Sequence, residues 1–145
     1  MPAALERPFR KPGVRLADFP DKVAVEFSCA TQKLPWFKVE TLEVWPKRLA
    51  AGKELGYRLT YVLCTQGATE VVTGKLETRI SFRGQAILRE PDSAYDLRPG
   101  RWVVDVFVTV PATAEDGLYA LELEFKSPAV KFARSETFAV EAAEK

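Results

Sequence analysis

The sequence of 145 residues contains no histidine, and none of its positions is asparagine. Serine–histidine and cysteine–histidine catalysis, acid–base chemistry by imidazole and histidine-ligated metal sites all require a histidine, so none of them is available to this chain. The lack of asparagine removes every acceptor for N-linked glycans. No sequence feature sets two carboxylates across a cleft. We therefore predict no catalytic residue, no metal site and no cofactor, and we predict that the protein is not an enzyme.

A charge excess of either sign is also missing. The chain carries 21 basic and 20 acidic residues, which leaves a formal net charge of +1. Nucleic acids and anionic membranes attract proteins through a field of one sign, so we predict no binding to nucleic acid. The apolar runs are only a few residues long, which predicts no insertion into a membrane. The first residues also lack the continuous apolar region of a secretory signal.

Most of the chain consists of short runs in which apolar and polar residues alternate. Since side chains point to opposite faces along a strand, such a run can place one face on a core and the other in water. The pattern predicts seven to nine short strands, and hence an all-β antiparallel sandwich or barrel. The clearest runs lie within 101–125, where one face would carry Trp102, Val104, Val106, Val108 and Val110 and, after a turn, Tyr119, Leu121, Leu123 and Phe125.

The chain is long enough for one domain with a core of its own. Residues 1–21 are rich in proline among basic residues, and they predict an extended N-terminal arm. This arm is either a solvated linker or a segment that docks on a neighbouring domain. Residues 22–145 are predicted to form the sandwich, beginning with a strand at 22–28. Single helical turns are expected within 46–55 and 113–117.

Two segments resemble bacterial immunoglobulin-like domains of the E-set or fibronectin III type. Val44-Trp45-Pro46 followed by 49–55 is similar to their entry into strand B, and 108–112 followed by 116–121 is similar to their E–F corner. The resemblance covers about 38–141. It implies an immunoglobulin-like antiparallel β-sandwich, with Tyr119 as the corner residue whose hydroxyl bonds back to the backbone. It implies no particular activity, because this fold carries many unrelated functions.

The two cysteines, Cys29 and Cys64, are not placed as in the disulfide of antibody domains. Cys29 continues the alternation of the run at 23–27. Cys64 follows Leu63, a predicted core residue, so it is expected to point outward. The two cysteines are thus expected on different faces, which favours two separate thiols. The alternative is a disulfide, which would stabilise the fold by roughly 3–4 kcal/mol.

A charged segment at 89–100 contains Glu90, Asp92 and Asp96. Carboxylate oxygens at this density suit a hard cation such as Ca²⁺. Their spacing fits no known calcium loop, however, and two arginines in the same segment can neutralise them. We therefore predict a solvated loop.

Candidate contact residues are apolar side chains on faces expected to be wet. Val103 and Phe107 lie opposite the core face of the 101–110 strand and indicate a surface for a partner. Trp36 and Trp45 near strand ends, and Tyr95 in the charged loop, could stack on sugars or anchor a partner. The alternative for all of them is burial beneath loops or the arm.

Taken together, the sequence favours a non-catalytic protein-binding or structural module of a bacterial envelope or surface assembly. Its partner would be another protein or domain, or a second copy of the chain, because sandwiches have sheet edges that pair readily. The alternative function is an accessory carbohydrate-binding module of an enzyme. The resemblance favours an extracytoplasmic location, in the periplasm or at the cell surface, over the cytoplasm.

Overall fold

Nine β-strands and one short helix account for most of residues 12–143, the part of the chain that the computed structural model describes. A single 3-10 turn follows the helix at Cys29–Thr31. The helix α1 is Pro20–Glu26, and the strands are β1 (Gly13–Asp18), β2 (Trp36–Trp45), β3 (Arg48–Ala50), β4 (Glu54–Cys64), β5 (Val72–Phe82), β6 (Gln85–Leu97), β7 (Gly100–Thr109), β8 (Gly117–Lys126) and β9 (Lys131–Glu141).

The strands form two sheets that pack face to face. One sheet has the order β1-β7-β4-β2 and the other has the order β3-β9-β8-β5-β6. The strand pairs are antiparallel except for the short β3, which runs parallel to β9. The predicted all-β sandwich is confirmed, with the number of strands at the upper end of the expected range.

The main core lies between the central strands β4 and β8. The alternating residues of both strands point into it, as the sequence pattern predicts, and nearly all of them are fully buried. Burying each such side chain contributes about 1.5–3 kcal/mol. The residues concerned are Tyr57, Leu59, Tyr61 and Leu63 on β4 and Tyr119, Leu121, Leu123 and Phe125 on β8.

The corner before β8 is held by Tyr119. Its hydroxyl donates a hydrogen bond of 2.8 Å to the backbone carbonyl of Glu115, four residues upstream. Its ring stacks on Phe82 with the ring centroids 4.3 Å apart. This is the contact that the resemblance implies for the corner residue.

The predicted strand at 22–28 is wrong, because this segment forms α1. Pro20 stands in the first turn of the helix, where its fixed φ suits helical geometry and its missing N–H is not needed. Val23 and Phe27 are four residues apart and share one face of a helix, whereas Val25 points away and is 83% exposed. Three alternating apolar residues are too few to separate a strand from a helix by periodicity.

Part of the predicted N-terminal arm belongs to the sandwich. Residues 13–18 form β1, which pairs with β7 from Gly13 opposite Asp105 to Asp18 opposite Arg101. The first sheet therefore begins well before residue 22. Residues 1–11 of the predicted arm lie outside the described residues.

The charged segment at 89–100 is not a loop, since most of it belongs to β6, the last strand of the five-stranded sheet. An edge strand tolerates Pro91 and a run of charges, because its outer side has no ladder to complete. Asp96 accepts a hydrogen bond of 2.5 Å from the hydroxyl of Thr73 on β5. The carboxylate of Asp92 accepts one from the backbone N–H of Ala94.

Thr73 and Gly74 lie inside β5, where the register with β6 shifts between Gly74 and Leu76. A Cβ at Gly74 would lie 2.5 Å from the backbone carbonyl oxygen of Lys126, so a side chain does not fit there. The segment at 46–55 forms β3 and a tight turn rather than a helical turn.

Candidate binding surface

The helix and the segment that follows it cover part of the outer face of the four-stranded sheet. We call residues 19–36 the helix layer. Together with the outward residues of β4, the layer forms a second apolar cluster, separate from the main core. The buried members are Val23, Cys29, Val62 and Cys64, and the partly buried residues packed on them are Phe27, Leu34 and Trp36.

Cys29 and Cys64 form a disulfide, with their Cα atoms 6.0 Å apart. The prediction of two separate thiols is therefore wrong. Cys64 does point away from the main core, as its position after Leu63 requires. The helix layer covers that side of the sheet, so Cys64 is only 4% exposed and meets Cys29 there.

Arg101 of β7 forms ion pairs with three elements and so joins the helix layer to the strands beneath it. Its guanidinium contacts Asp18 of β1, Glu26 of α1 at 2.8 Å and Glu40 of β2 at 2.6 Å. The hydrogen bond from Arg101 holds the pKa of Glu26 below its ordinary value. Hydrogen bonds from Lys22 and then from Arg101 lower the pKa of Asp18 in the same way. The charged forms of Glu26 and Asp18 are thus stabilised by these cations.

A cavity of about 220 Å³ opens between the helix layer and the loop that follows β4. Pro20, Asp21 and Ala24 line it on the helix side, and residues 65–68 line it on the loop side. Leu63, Pro99 and both cysteines of the disulfide complete the lining. The cavity is therefore mainly apolar, and one of its walls is cross-linked to the sheet.

Two residues that adjoin lining residues in sequence carry exposed apolar side chains. Phe19 is 67% exposed and Val25 is 83% exposed, and each is the sequence neighbour of a lining residue. Among the described lining residues Asp21 alone carries a charge. The neighbouring Lys22 directs its ammonium group to Asp18, at 3.0 Å. Exposed apolar groups beside a concave apolar site are typical of a contact surface.

The two contact residues predicted on β7 have different surroundings. Val103 is 7% exposed, too deeply buried for a partner to reach, and Phe107 is half-buried. Between them Asp105 accepts two hydrogen bonds from Arg58 of β4, at 2.7 and 3.0 Å. The bond to Asp105 raises the pKa of Arg58. This part of the outer face is thus built around an internal ion pair.

The predicted aromatic residues do not come together. Trp36 and Trp45 begin and end β2, so the rise of a strand puts them about 30 Å apart. Trp36 packs against Phe27 in the helix layer, with the ring centroids 5.1 Å apart. Tyr95 lies in β6, partly buried against the main core, and this burial raises the pKa of its hydroxyl. The three side chains therefore do not make one platform.

The outer face of the five-stranded sheet carries a ladder of charges around Arg79. This arginine contacts Glu77 at 2.8 Å, Glu122 at 3.2 Å and Glu124 at 3.3 Å. Arg89 of β6 adds a second cation on Glu77, at 2.9 Å. Across residues 12–143 there is no group of three or more Cys, Asp or Glu residues arranged to hold a metal ion. The ladder is a set of surface ion pairs, each of small energetic value.

Sequence reasoning missed both the helix layer and its cavity. A signal for the helix was present, because Pro20 followed by Val23 and Phe27 fits a helix that starts at a proline. No local sequence signal indicates the cavity, since it forms where the helix layer meets the loop at 65–68, some thirty residues further along the chain.

No known family model matches the chain, and no curated protein matches it in sequence. Solved structures do match its fold. A CARDB domain from Pyrococcus furiosus, solved in complex with di-metal ions, aligns with 78% of this chain and 99% of its own, at 16% identity and a TM-score of 0.52. An alkylpurine DNA glycosylase from Pseudomonas fluorescens, bound to DNA with an abasic site analog, aligns with 73% of this chain at 12% identity and a TM-score of 0.51.

A β-glucosidase from Erythrobacter marinus aligns with 73% of this chain at 11% identity and a TM-score of 0.50. The match spans 30% of the glycosylase and 15% of the glucosidase. Identities this low show the fold alone, which is an immunoglobulin-like β-sandwich; its placement in the E-set or fibronectin III type stays a prediction. Within residues 12–143 the structure has no helix long and apolar enough to cross a membrane.

Proposed function

We propose that this chain is a non-catalytic protein-binding module of a bacterial envelope or surface assembly, and that it binds through the helix layer. The observation that carries the proposal is the pair of exposed apolar side chains, Phe19 and Val25, each next in sequence to a residue that lines an apolar cavity. Other exposed apolar side chains, such as Leu118 and Val14, do not adjoin this lining in sequence, and the outer sheet faces carry ion pairs around Arg58 and Arg79.

The size of the matched structures supports a module. The alignment spans 99% of the CARDB domain and 78% of this chain, so the sandwich is similar in extent to that whole domain. In the glycosylase and the glucosidase the matched part is a minor share of a larger chain. A sandwich that forms part of larger chains in other proteins is suited to work beside other domains or proteins rather than alone.

The disulfide supports a location outside the cytoplasm. Disulfides persist in oxidising compartments such as the bacterial periplasm and the cell surface, and they are rare in the reducing cytoplasm. Cys29 and Cys64 are paired in the structure. Cells precipitated with acid, to stop thiol exchange, and then denatured in the presence of a maleimide of high mass should yield protein that is unshifted on a gel unless it is first reduced. A shift before reduction would contradict this location.

The carbohydrate-binding alternative has less support, because Trp36 and Trp45 lie at opposite ends of β2. Tryptophan fluorescence across a panel of polysaccharides distinguishes the two functions. The protein-binding proposal expects no saturable quenching with any of them.

Photo-crosslinking in the source organism tests the proposed surface. A benzoyl-phenylalanine placed at Val25 should form one discrete adduct, because that side chain is exposed and follows Ala24, which lines the cavity. The matched control places the same group at Thr137, which is exposed on the five-stranded sheet. The variant Phe19→Asp should weaken the adduct at position 25. Adducts of equal yield at both positions, or none at position 25, would refute the proposal.

A further inference from the structure

We infer that the cavity beside the disulfide binds one bulky apolar side chain of an extended partner segment that carries a basic residue next to it. The inference rests on the proposed function as a binding module and names the chemistry of its partner. It assigns the recognition to the cavity and to Asp21, which lines it.

The size of the cavity selects a side chain over a small-molecule ligand. Its volume of about 220 Å³ exceeds the roughly 150 Å³ of a protein cavity that accepts a benzene molecule. It falls below the range of about 300–1,000 Å³ that is typical of pockets for cofactors and drug-sized ligands. A phenyl or isobutyl group fits, and the rest of the partner would then lie outside the cavity.

The walls are apolar and held in place before a partner arrives. Ala24, Leu63, Pro99 and the disulfide contribute apolar surface to the lining. The disulfide joins the wall to β4, and Arg101 ties α1 to the neighbouring strands. A site that is already ordered loses little conformational entropy on binding, so a single anchoring side chain can produce measurable affinity. Phe19 and Val25 would extend the apolar contact beyond the cavity.

The charge of the lining favours a partner in which the residue next to the bound apolar side chain is basic. Asp21 is the one charged residue of the described lining. The nearest cation along the chain, Lys22, is engaged by Asp18. The next charged residue after the loop wall is Glu70, which is also acidic. Arg98, next to the lining residue Pro99, lies over the ring of Trp102, with its guanidinium 5.8 Å from the ring centroid. A cation on the partner therefore meets a carboxylate, whereas an acidic neighbour is repelled. At an exposed site such a pair changes affinity by about 2- to 5-fold.

Titration of the isotope-labelled full chain with two blocked dipeptides tests both parts of the inference. The probes are N-acetyl-phenylalanyl-arginine amide and its control, N-acetyl-phenylalanyl-glutamate amide. Both should shift the backbone amide signals of Ala24, Gly67 and Ala68, because these residues lie along the cavity. The arginine peptide should bind about 2- to 5-fold more tightly. Affinities in the millimolar range are expected, since a single side chain supplies the contact.

Three variants separate the contributions. Asp21→Asn should remove the preference for the arginine peptide and keep the binding of the phenyl group. Glu115→Gln removes a charge at an exposed position in the corner before β8, outside the cavity lining. It should leave both affinities unchanged. Ala68→Leu should fill the cavity and abolish binding of both peptides, while the dispersion of the remaining signals shows that the chain is folded.

Three results would overturn all or part of the inference. If neither peptide shifts these signals, the cavity does not accept an apolar anchor. The adduct at Val25 would then still test the proposed function on its own. If Phe9→Ala, a change in the segment outside the described residues, moves the same signals without any peptide, the occupant is this chain rather than a partner. Equal affinities for the two peptides would refute the assignment of Asp21.

Discussion

Replacing both cysteines, in Cys29→Ala/Cys64→Ala, is expected to lower the free energy of unfolding by about 4 kcal/mol without unfolding the sandwich. The disulfide joins residues separated by 35 positions. A loop of that length corresponds to about 13 cal/mol/K of chain entropy in the unfolded state, or about 3.8 kcal/mol at 25 °C. Neither cysteine belongs to the main core, so the packing between β4 and β8 should persist.

Urea unfolding followed by circular dichroism and tryptophan fluorescence measures this change. For a chain of this size, 4 kcal/mol corresponds to a fall in Tm of roughly 8–16 °C. Hydrogen exchange should accelerate mainly in the helix layer, residues 19–36, because the cross-link fastens that layer to β4. Wild-type protein treated with a reductant is the matched control, and it should reproduce the variant.

Two outcomes would refute this reasoning. A loss below about 1 kcal/mol would mean that other contacts already restrict the same loop. Loss of the near-ultraviolet signal of the buried tyrosines would mean that the second cluster and the main core unfold as one unit. The first result would contradict the chain-entropy estimate, and the second would contradict the separation of the helix layer from the main core.

Three further predictions concern the polar contacts of the fold. Tyr119→Phe should cost about 1 kcal/mol of unfolding free energy, the value of one hydrogen bond, and a urea midpoint equal to wild type would contradict it. Arg58→Met should lower the free energy of unfolding by about 2 kcal/mol, because the nearly buried carboxylate of Asp105 loses this partner. The double variant Arg58→Met/Asp105→Leu should recover most of that loss. The lowered pKa of Glu26 means that its contribution to stability is present above about pH 4.5 and lost as the pH falls through the lower value of the folded state. Arg101→Met should therefore flatten the fall in stability between about pH 5 and pH 3, and an unchanged pH profile would contradict that role.

The strands of the main core could be predicted because their pattern is long and consistent. In β4 four alternating residues from Tyr57 to Leu63 face the core, and in β8 four from Tyr119 to Phe125 do the same. Runs of this length specify both the strand and its buried face. The corner at Tyr119 could be anticipated for a similar reason, since its position after a Pro…Gly turn is repeated in immunoglobulin-like domains.

The helix layer was not predicted because its local pattern is ambiguous. Val23, Val25 and Phe27 fit a strand as well as a helix, and Pro20 is a local signal for the helix that the alternation outweighed. The wrong prediction of a separate thiol at Cys64 followed from the missing helix layer. Its parity was read correctly as outward, but an outward residue is buried wherever another element covers that face of the sheet.

The pattern predicts a short edge strand at 86–89, but the rest of β6 was missed because it lacks an apolar face along much of its length. Residues 89–94 are exposed and include Pro91, which is typical of a loop when the neighbouring strand is unknown. Pairing with β5 supplies the hydrogen bonds that make the segment a strand. Tertiary pairing thus determined the structure against local preference.

The most direct measurement of the central claim is the yield of photo-crosslinked adduct at position 25 relative to position 137, measured in cells. If the helix layer is the binding surface, a discrete adduct forms at Val25, which is 83% exposed and follows a residue that lines the cavity, and none forms at Thr137. Equal yields at the two positions, or an adduct at Thr137 alone, would contradict the claim.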